Sequence, residues 1–413
     1  MRRAAAAVAA VALAGCASGA PTRGGPPSAG METGGTPQAR HSSRLSPPAL
    51  PGRAADEDCA SGKDRPDLLS LGTGALSGVQ FVSASHGWAV GLNRIVSTTD
   101  GGRHWNVQDR GRLGLVSVDF TDDWHGWAVG AGRVLATSDG GQHWRVLPEP
   151  CPAVRAVHFV SPSVGFAVAG GTQVGPFGGL LVPGHGGVVL ATGNGGRTWR
   201  PVAAPAGVQS VCFNTAERGW LGAAGHLYRT ADGGHSWDLA AAGPRSPRGT
   251  SWPYTMIVQC AGTDSVWGLD IGPGVAASQA PHVGYHATPA TAVPLFAEGY
   301  FPHPGVAVHA PAPGSYPGPF SAVSASAAVY IDSCPACPAA AMVPWDLATG
   351  GGAVLRREGS VGDLTLPHAA AFLTPAVGWV TGTAIDFHHH HERERIVSTT
   401  DGGRTWRIDY TSR

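Results

Sequence analysis

Apolar and aromatic positions recur along this chain in units of about forty residues. "VQFVSASHGWAVG" begins at Val79, "VDFTDDWHGWAVG" at Val118, "VHFVSPSVGFAVA" at Val157 and "VCFNTAERGWLGA" at Val211. In each, an aromatic follows an apolar residue seven positions later: Phe81/Trp88, Phe120/Trp127, Phe159/Phe166 and Phe213/Trp220. Weaker copies at Cys260/Trp267, Val323/Tyr330 and Phe372/Trp379 bring the repeat to seven. The closest spacing, from Phe81 to Phe120 to Phe159, suits four strands of five or six residues joined by tight turns.

The second half of most units carries Thr-x-Asp-x-Gly-x-x-Trp. It reads "TTDGGRHW" from Thr98, "TSDGGQHW" from Thr137, "TADGGHSW" from Thr230 and "TTDGGRTW" from Thr399. "TGNGGRTW" from Thr192 puts Asn194 in the Asp place, and the fifth and sixth units lack the motif. The pattern resembles the Asp box, or bacterial neuraminidase repeat. Its chemistry is that of a hairpin: the side chain of Asp100, Asp139, Asn194, Asp232 or Asp401 caps turn amides, and glycine supplies positive φ. Trp105, Trp144, Trp199, Trp237 and Trp406 then return to pack in the sheet. Each unit therefore reads as strand A around Phe81, B at Trp88, C from Ile95 to Thr98 and D from Trp105. Seven such sheets arranged radially leave only short, protected edges, so the expected fold is all-β, a seven-bladed propeller of four-stranded antiparallel blades over 67–413.

The beginning of the chain differs. Arg2 and Arg3 precede an apolar run, Ala4 to Ala14, too short to span a bilayer. It ends in Leu13-Ala14-Gly15-Cys16, which resembles a bacterial lipobox. That resemblance implies a signal peptide over 1–15, a diacylglyceryl group on Cys16 and anchoring on the extracytoplasmic face of the cell membrane. Residues 16–66, rich in Pro, Gly, Ser and Ala, read as the lipidated N-terminus and a flexible tether.

Composition changes this picture little. Gly (61) and Pro (34) are abundant enough to raise the question of disorder, but thirteen Trp supply a core. Ten of them fall at the two repeat positions, where packing between blades is the reading adopted. A formal net charge of zero points away from nucleic acid. No cofactor is implied, and a monomer is expected.

From Gly78 to Arg413 the chain is similar to the photosystem II assembly and stability factor family, whose blades also carry the "GWAVG" run followed by "TTDGGRHW"-type turns. That resemblance implies a non-enzymatic propeller that binds or assembles a protein or a cell-envelope polymer. The alternative is a divergent or degenerate sialidase-like glycoside hydrolase, because Asp boxes also occur in sialidases. Such a site needs clustered arginines, a tyrosine nucleophile with a supporting Glu, and an acid Asp. The family's Phe/Tyr-Arg-Ile-Pro motif is absent, and the paired carboxyls of a glycosidase cannot be placed from sequence. No catalytic residue is assigned.

An even number of cysteines beyond Cys16 in an exported chain favours disulfides. Cys334 and Cys337 are expected to form a local one. Among Cys59, Cys151, Cys212 and Cys260, the preferred pair is Cys212 with Cys260, which joins adjacent blades. His388, His389, His390 and His391 interrupt an otherwise intact last unit; they could ligate Zn, Ni or Cu, but a solvated loop is the simpler reading. Long excursions fall between B and C (170–187, 271–282, the Cys334–Cys337 segment, the His388 insertion) or between D and the next A (241–253, 294–319). Length variation gathered on one face of a repeat array marks the binding face, with Tyr285, Tyr300, Phe301 and Tyr316 as candidate contacts.

Overall fold

The computed structural model describes residues 76–412, other than 131, 150–153, 171–172, 175–180, 183–186, 244–254, 272–281, 299–309, 312–316, 333–344, 350–353, 358–360, 387–388 and 390. Within them the chain forms seven consecutive antiparallel sheets whose A–D strands follow chain order. The blades run from Leu76 to Arg110, Ser117 to Leu147, Val154 to Val202, Val208 to Ala241, Thr255 to Glu298, Pro317 to Arg357 and Leu366 to Thr411. Blade 5 carries a fifth strand, Ala310–Pro311, parallel to the outer edge of Ala292–Glu298. The excursion between B and C of blade 3 holds its own small hairpin, Gln173–Val174 with Leu181–Val182.

Burial is greatest in the B strands and least at the rim. Every residue of the B strands Gly87–Gly91, Gly126–Gly130 and Gly165–Ala169 is buried, because these strands have a neighbouring blade on each face. At the rim the D strands of blades 1 and 2, Asn106–Arg110 and Arg145–Leu147, are short and partly exposed, and their arginines discourage edge-to-edge pairing. The A strands of successive blades touch in an unbroken ring, and the last, Leu366–Thr374, meets the first, Leu76–Phe81. That closure defines a propeller.

The repeated aromatics form the contact between blades. Trp88 stacks on Phe120, Trp127 on Phe159 and Phe166 on Phe213, with centroids 3.4–3.6 Å apart. The box tryptophans instead meet the phenylalanine of their own blade edge-on, as in Phe81–Trp105 and Phe120–Trp144. Glycine before the B-strand aromatic is required sterically: a Cβ on Gly126 would lie 2.4 Å from the Phe120 ring. Closure between blades 7 and 1 uses the same parts, and each of the two blades draws its four strands from one continuous stretch of chain. Trp379 stacks on Phe81 at 3.5 Å, and its Nε1–H donates to the Gly101 carbonyl.

Two details depart from the sequence reading. In blade 6 Val323 falls between the Ala322 and Ser324 pairs, where the register shifts, and has no partner of its own on Ala327–Asp332, while Phe320 stacks on Tyr330. Pro294 lies inside strand Ala292–Glu298 rather than in a connection; a register shift between Gly284 and Tyr285 lets the outer strand accommodate it.

Candidate functional site

The strand order divides the molecule into two faces. A–B and C–D turns share one, and B–C and D–A connections share the other. The Asp boxes occupy C–D turns, between strands such as Arg94–Thr98 and Asn106–Arg110. In blade 1 the Thr98 hydroxyl donates to Asp100 Oδ1 and accepts from the Gly102 N–H, both at 2.9 Å. Asp100 Oδ1 also accepts the His104 N–H at 2.9 Å. Gly101 and Gly102 have φ of 73° and 87°, a conformation that L side chains resist. The same bonds recur around Asp139, Asn194, Asp232 and Asp401.

These bonds stabilise the charged carboxylate. Hydrogen bonds from the backbone and ring of His104 hold Asp100 down to about 2. Asp401 is held at about 2, chiefly by the hydroxyl and amide of Thr405. A depressed folded-state pKa contributes stability above the unfolded value of about 4, and that stability is lost as pH falls towards 2. In blade 3, Asn194 donates its Nδ2–H to the Thr198 hydroxyl at 2.8 Å and keeps the turn without a charge. Asp401→Asn is therefore expected to fold normally at pH 7 and to lose less Tm than the parent between pH 4 and pH 2. Superimposable acid profiles would show that the carboxylate's charge is unimportant.

The seven A strands enclose a central cavity of about 570 Å³. Neighbouring A strands are not paired in one sheet, so their facing backbone groups need other partners. In blades 1, 2, 3 and 5 a polar residue just before Phe81, Phe120, Phe159 or Cys260 provides them. Gln80 takes the Phe120 N–H at 2.5 Å and donates to the Phe120 carbonyl at 3.2 Å. Asp119 accepts the Phe159 N–H, His158 Nε2 donates to the Phe213 carbonyl, and Gln259 donates to the Phe320 carbonyl. In blade 4 the same position is Cys212, and it bonds covalently to Cys260 of blade 5. Cys260 stands where other blades have the stacking phenylalanine, so Trp220 lacks that ring and donates to Asn214 Oδ1 of its own blade instead. The disulfide thus takes over a contact that stacking makes elsewhere. This strap was visible in the sequence as Gln, Asp, His, Cys and Gln before Phe81, Phe120, Phe159, Phe213 and Cys260. It does not show in the apolar periodicity, because the residues that carry it are mostly polar.

Two titratable groups of this wall, Asp119 and Arg155, are tied to the backbone. Burial pushes the Asp119 carboxyl up, against the pull of His158, the Phe159 N–H and Gln80. Arg155 donates to the carbonyls of Gly170, Gln209 and Val208; burial lowers its guanidinium to about 9, which leaves it charged at neutral pH. Burial also lowers His368 to about 4, and its Nε2 lies 2.8 Å from the Thr383 hydroxyl.

The remaining sequence candidates scatter. Tyr285 is not a surface contact: it is 3% exposed and packs with Trp220 and Val266 in the core between blades 4 and 5. Strand His282–Ala287 places it opposite Gly268, which turns the ring inward. Tyr300, Phe301 and Tyr316 lie outside the described residues, as do Cys16, Cys59, Cys151, Cys334 and Cys337. His388 and His390 also lie outside them, whereas His389 and His391 sit at the tip of the long hairpin of blade 7. His389 Nδ1 is 2.8 Å from Asp386. Among the described residues no three potential ligands converge on a metal position, and no helix is long and apolar enough to cross a membrane.

Connection lengths differ sharply between the faces. On the B–C side, residues 92–93 and 224–225 suffice in blades 1 and 4, against 170–187, 272–281 and 333–344 in blades 3, 5 and 6. On the D–A side, 242–254 and 299–316 stand out. The A–B turns stay short throughout.

Residues 111–244, essentially blades 2–4, match the family model described as photosynthesis system II assembly factor YCF48. No curated protein matches the sequence. Among solved structures, the chain is similar to one described as YCF48 bound to D1 peptide, at 16% identity over 74% of this chain and 89% of that one, with a TM-score of 0.46. YCF48 from Cyanidioschyzon merolae matches at 14% identity over 74% and 92%, with a TM-score of 0.45. The WD40 propeller domain of Doa1 matches at 10% over 82% and 93%, with a TM-score of 0.46.

Proposed function

We propose that this chain is a non-enzymatic binding or assembly scaffold. A lipid on Cys16 would hold it at the extracytoplasmic face of the cell membrane, and a protein partner would be captured on the face built from B–C and D–A connections. The observation that carries the reading is the match of blades 2–4 to an assembly-factor family, since assembly requires recognition of another protein. The concentration of long connections on one face supports the choice of surface. The Asp boxes belong to the opposite face, where their polar atoms are spent on their own turns.

Site-specific photo-crosslinking in membranes tests both parts. A crosslinker in place of Tyr300 is expected to capture a discrete protein, whereas one in place of His104 on the box face is not. Capture from His104 alone would overturn the assignment of the face. Cys16→Ser is expected to move the protein from the membrane to the soluble fraction or leave an unprocessed precursor. Unchanged fractionation with normal processing would overturn the anchor.

A further inference from the structure

Blade 5 carries an acid where the other blades have a small residue. Three positions after the B-strand aromatic stand Gly91, Gly130, Ala169, Ala223, Ser333 and Gly382, but Asp270 in blade 5. Strand Ser265–Ile271 is buried along its whole length, and Asp270 is 0% exposed. Among the described residues neither of its carboxyl oxygens has a hydrogen-bond partner. The carboxyl faces blade 4. A Cβ built on Gly243 would lie 3.3 Å from Oδ2 and would overlap the Gly225 carbonyl oxygen, so the two blades are closed against each other here.

No described charge compensates this acid. Strand Thr255–Ala261 sets Met256 opposite Asp270, and its one ionisable type, Cys260, is in the disulfide. On strand His282–Ala287 the register partner is Val283; His282 pairs with Ile271, and His286 packs on Trp267. Strand Gly219–Ala223 of blade 4 has no ionisable side chain. On the strands beyond it, Arg229 donates to the Pro289 carbonyl and Asp238 is exposed. His226 Nδ1 accepts the Gly243 N–H at 2.9 Å, and burial lowers its pKa, so the ring is uncharged at neutral pH. Burial alone acts on Asp270 and pushes its carboxyl well above the usual range. The rest of this interface holds less firmly than its counterparts, because Trp220 bonds to its own blade instead of stacking. The Cys212–Cys260 bond ties one end, and Asp270 lies at the other end of the same hairpin.

We propose that Asp270 is a proton switch on the contact between blades 4 and 5. While the carboxyl is neutral the two blades stay packed. When it ionises, water enters at the Gly225 and Gly243 end and the blades part there, hinged at the Cys212–Cys260 bond. A carboxylate without a counter-charge or hydrogen bonds is not held in a dry site, so ionisation and opening go together. The unfolded chain ionises this group above about 4, and the folded chain does so only at higher pH. Its contribution to stability is therefore complete below about 4. It falls as pH rises, by about tenfold in the unfolding constant per pH unit, until the folded group ionises. The switch lies at the end of the blades that bears the B–C and D–A connections, but it does not rest on their assignment to a partner.

Denaturant titration and amide hydrogen exchange of the full, oxidised chain test this switch. Asp270→Asn keeps the shape of the side chain and removes its charge. Between pH 5 and pH 7 the unfolding constant of the parent should rise relative to that of the variant by about tenfold per pH unit. The Asp boxes are common to both proteins and cancel in the comparison. At pH 8 the amides of Leu227 and Met256 should exchange at least tenfold faster in the parent than in the variant. Those of Ala89 and Val90 in blade 1 should exchange alike in both. Should the asparagine disturb folding, Asp270→Ala, which places the residue of blades 3 and 4 here, gives the same comparison. Parallel pH profiles of the parent and a folded variant would overturn the proton site. Diverging profiles with equal exchange at Leu227 and Met256 would overturn the opening.

Discussion

Replacing both Cys212 and Cys260 by alanine is expected to destabilise the propeller by about 4 kcal/mol. The bond closes a loop with a sequence separation of 48, and loop-closure entropy for that length gives roughly this value at 25 °C. The surroundings argue against compensation. At this interface the phenylalanine that receives a tryptophan elsewhere is replaced by Cys260, so losing the bond leaves blades 4 and 5 without a stacked ring pair of the repeat type. The B-strand indole there is already turned to its own blade through Asn214. Thermal unfolding of the variant, and of the parent with and without a reductant, measures the effect. For a unit of this size about 4 kcal/mol corresponds to a fall in Tm of roughly 5 °C or more. Reduction and substitution should act alike and not add. A double variant as stable as the oxidised parent would show that this interface is held by apolar packing alone.

Trp379→Ala should have an effect of similar size at the seam where the ring closes. The indole is 2% exposed, lies 3.5 Å from the Phe81 ring and donates to the Gly101 carbonyl. Large-to-alanine changes at buried aromatics cost about 3–5 kcal/mol. Blades 1 and 7 are joined by side-chain contacts rather than a shared sheet, so this loss falls on the closure itself. Leu76 N–H to Glu394 Oε2 at 3.1 Å and Arg94 to the Tyr410 hydroxyl at 2.6 Å remain to hold it. Trp379→Phe should lose only about 1 kcal/mol, the value of one net hydrogen bond, because Phe166 already makes the stack in blade 3. Denaturant titration of the three proteins checks the order. Equal stability of Trp379→Ala and the parent would remove this residue from the closure.

The sequence by itself determined the blade. Apolar spacing, glycine before the B-strand aromatic and the Thr-x-Asp-x-Gly-x-x-Trp turn are local features, and each acts within about a dozen residues. A hairpin's register is set by its own turn and by the alternation of its own strands. The units and their boxes could therefore be read directly, whereas the pairing of Cys212 with Cys260 was only a preference until the fold brought blades 4 and 5 together. Blade 6 shows the limit of that reading. That blade lacks a box, and Val323, which has the repeat spacing to Tyr330, falls where the register shifts and has no partner of its own on Ala327–Asp332.

Tertiary structure decided what the side chains between blades do. Tyr285 belongs to a strand in either reading, but only the approach of blade 4 turns it from a candidate contact into core. Gln80, Asp119 and His158 look like polar interruptions in an apolar strand. Their role as straps exists only because the next A strand presents unpaired amides and carbonyls across the channel wall. Phe166 differs from Trp88 by one ring and one N–H, a conservative change within the blade. Between blades it removes the indole N–H that Trp88, Trp127 and Trp379 each donate to a glycine of the next blade's box. Hairpins are fixed by neighbours in sequence, whereas the contents of an interface depend on residues forty or more positions away, whose positions are settled only when the ring closes.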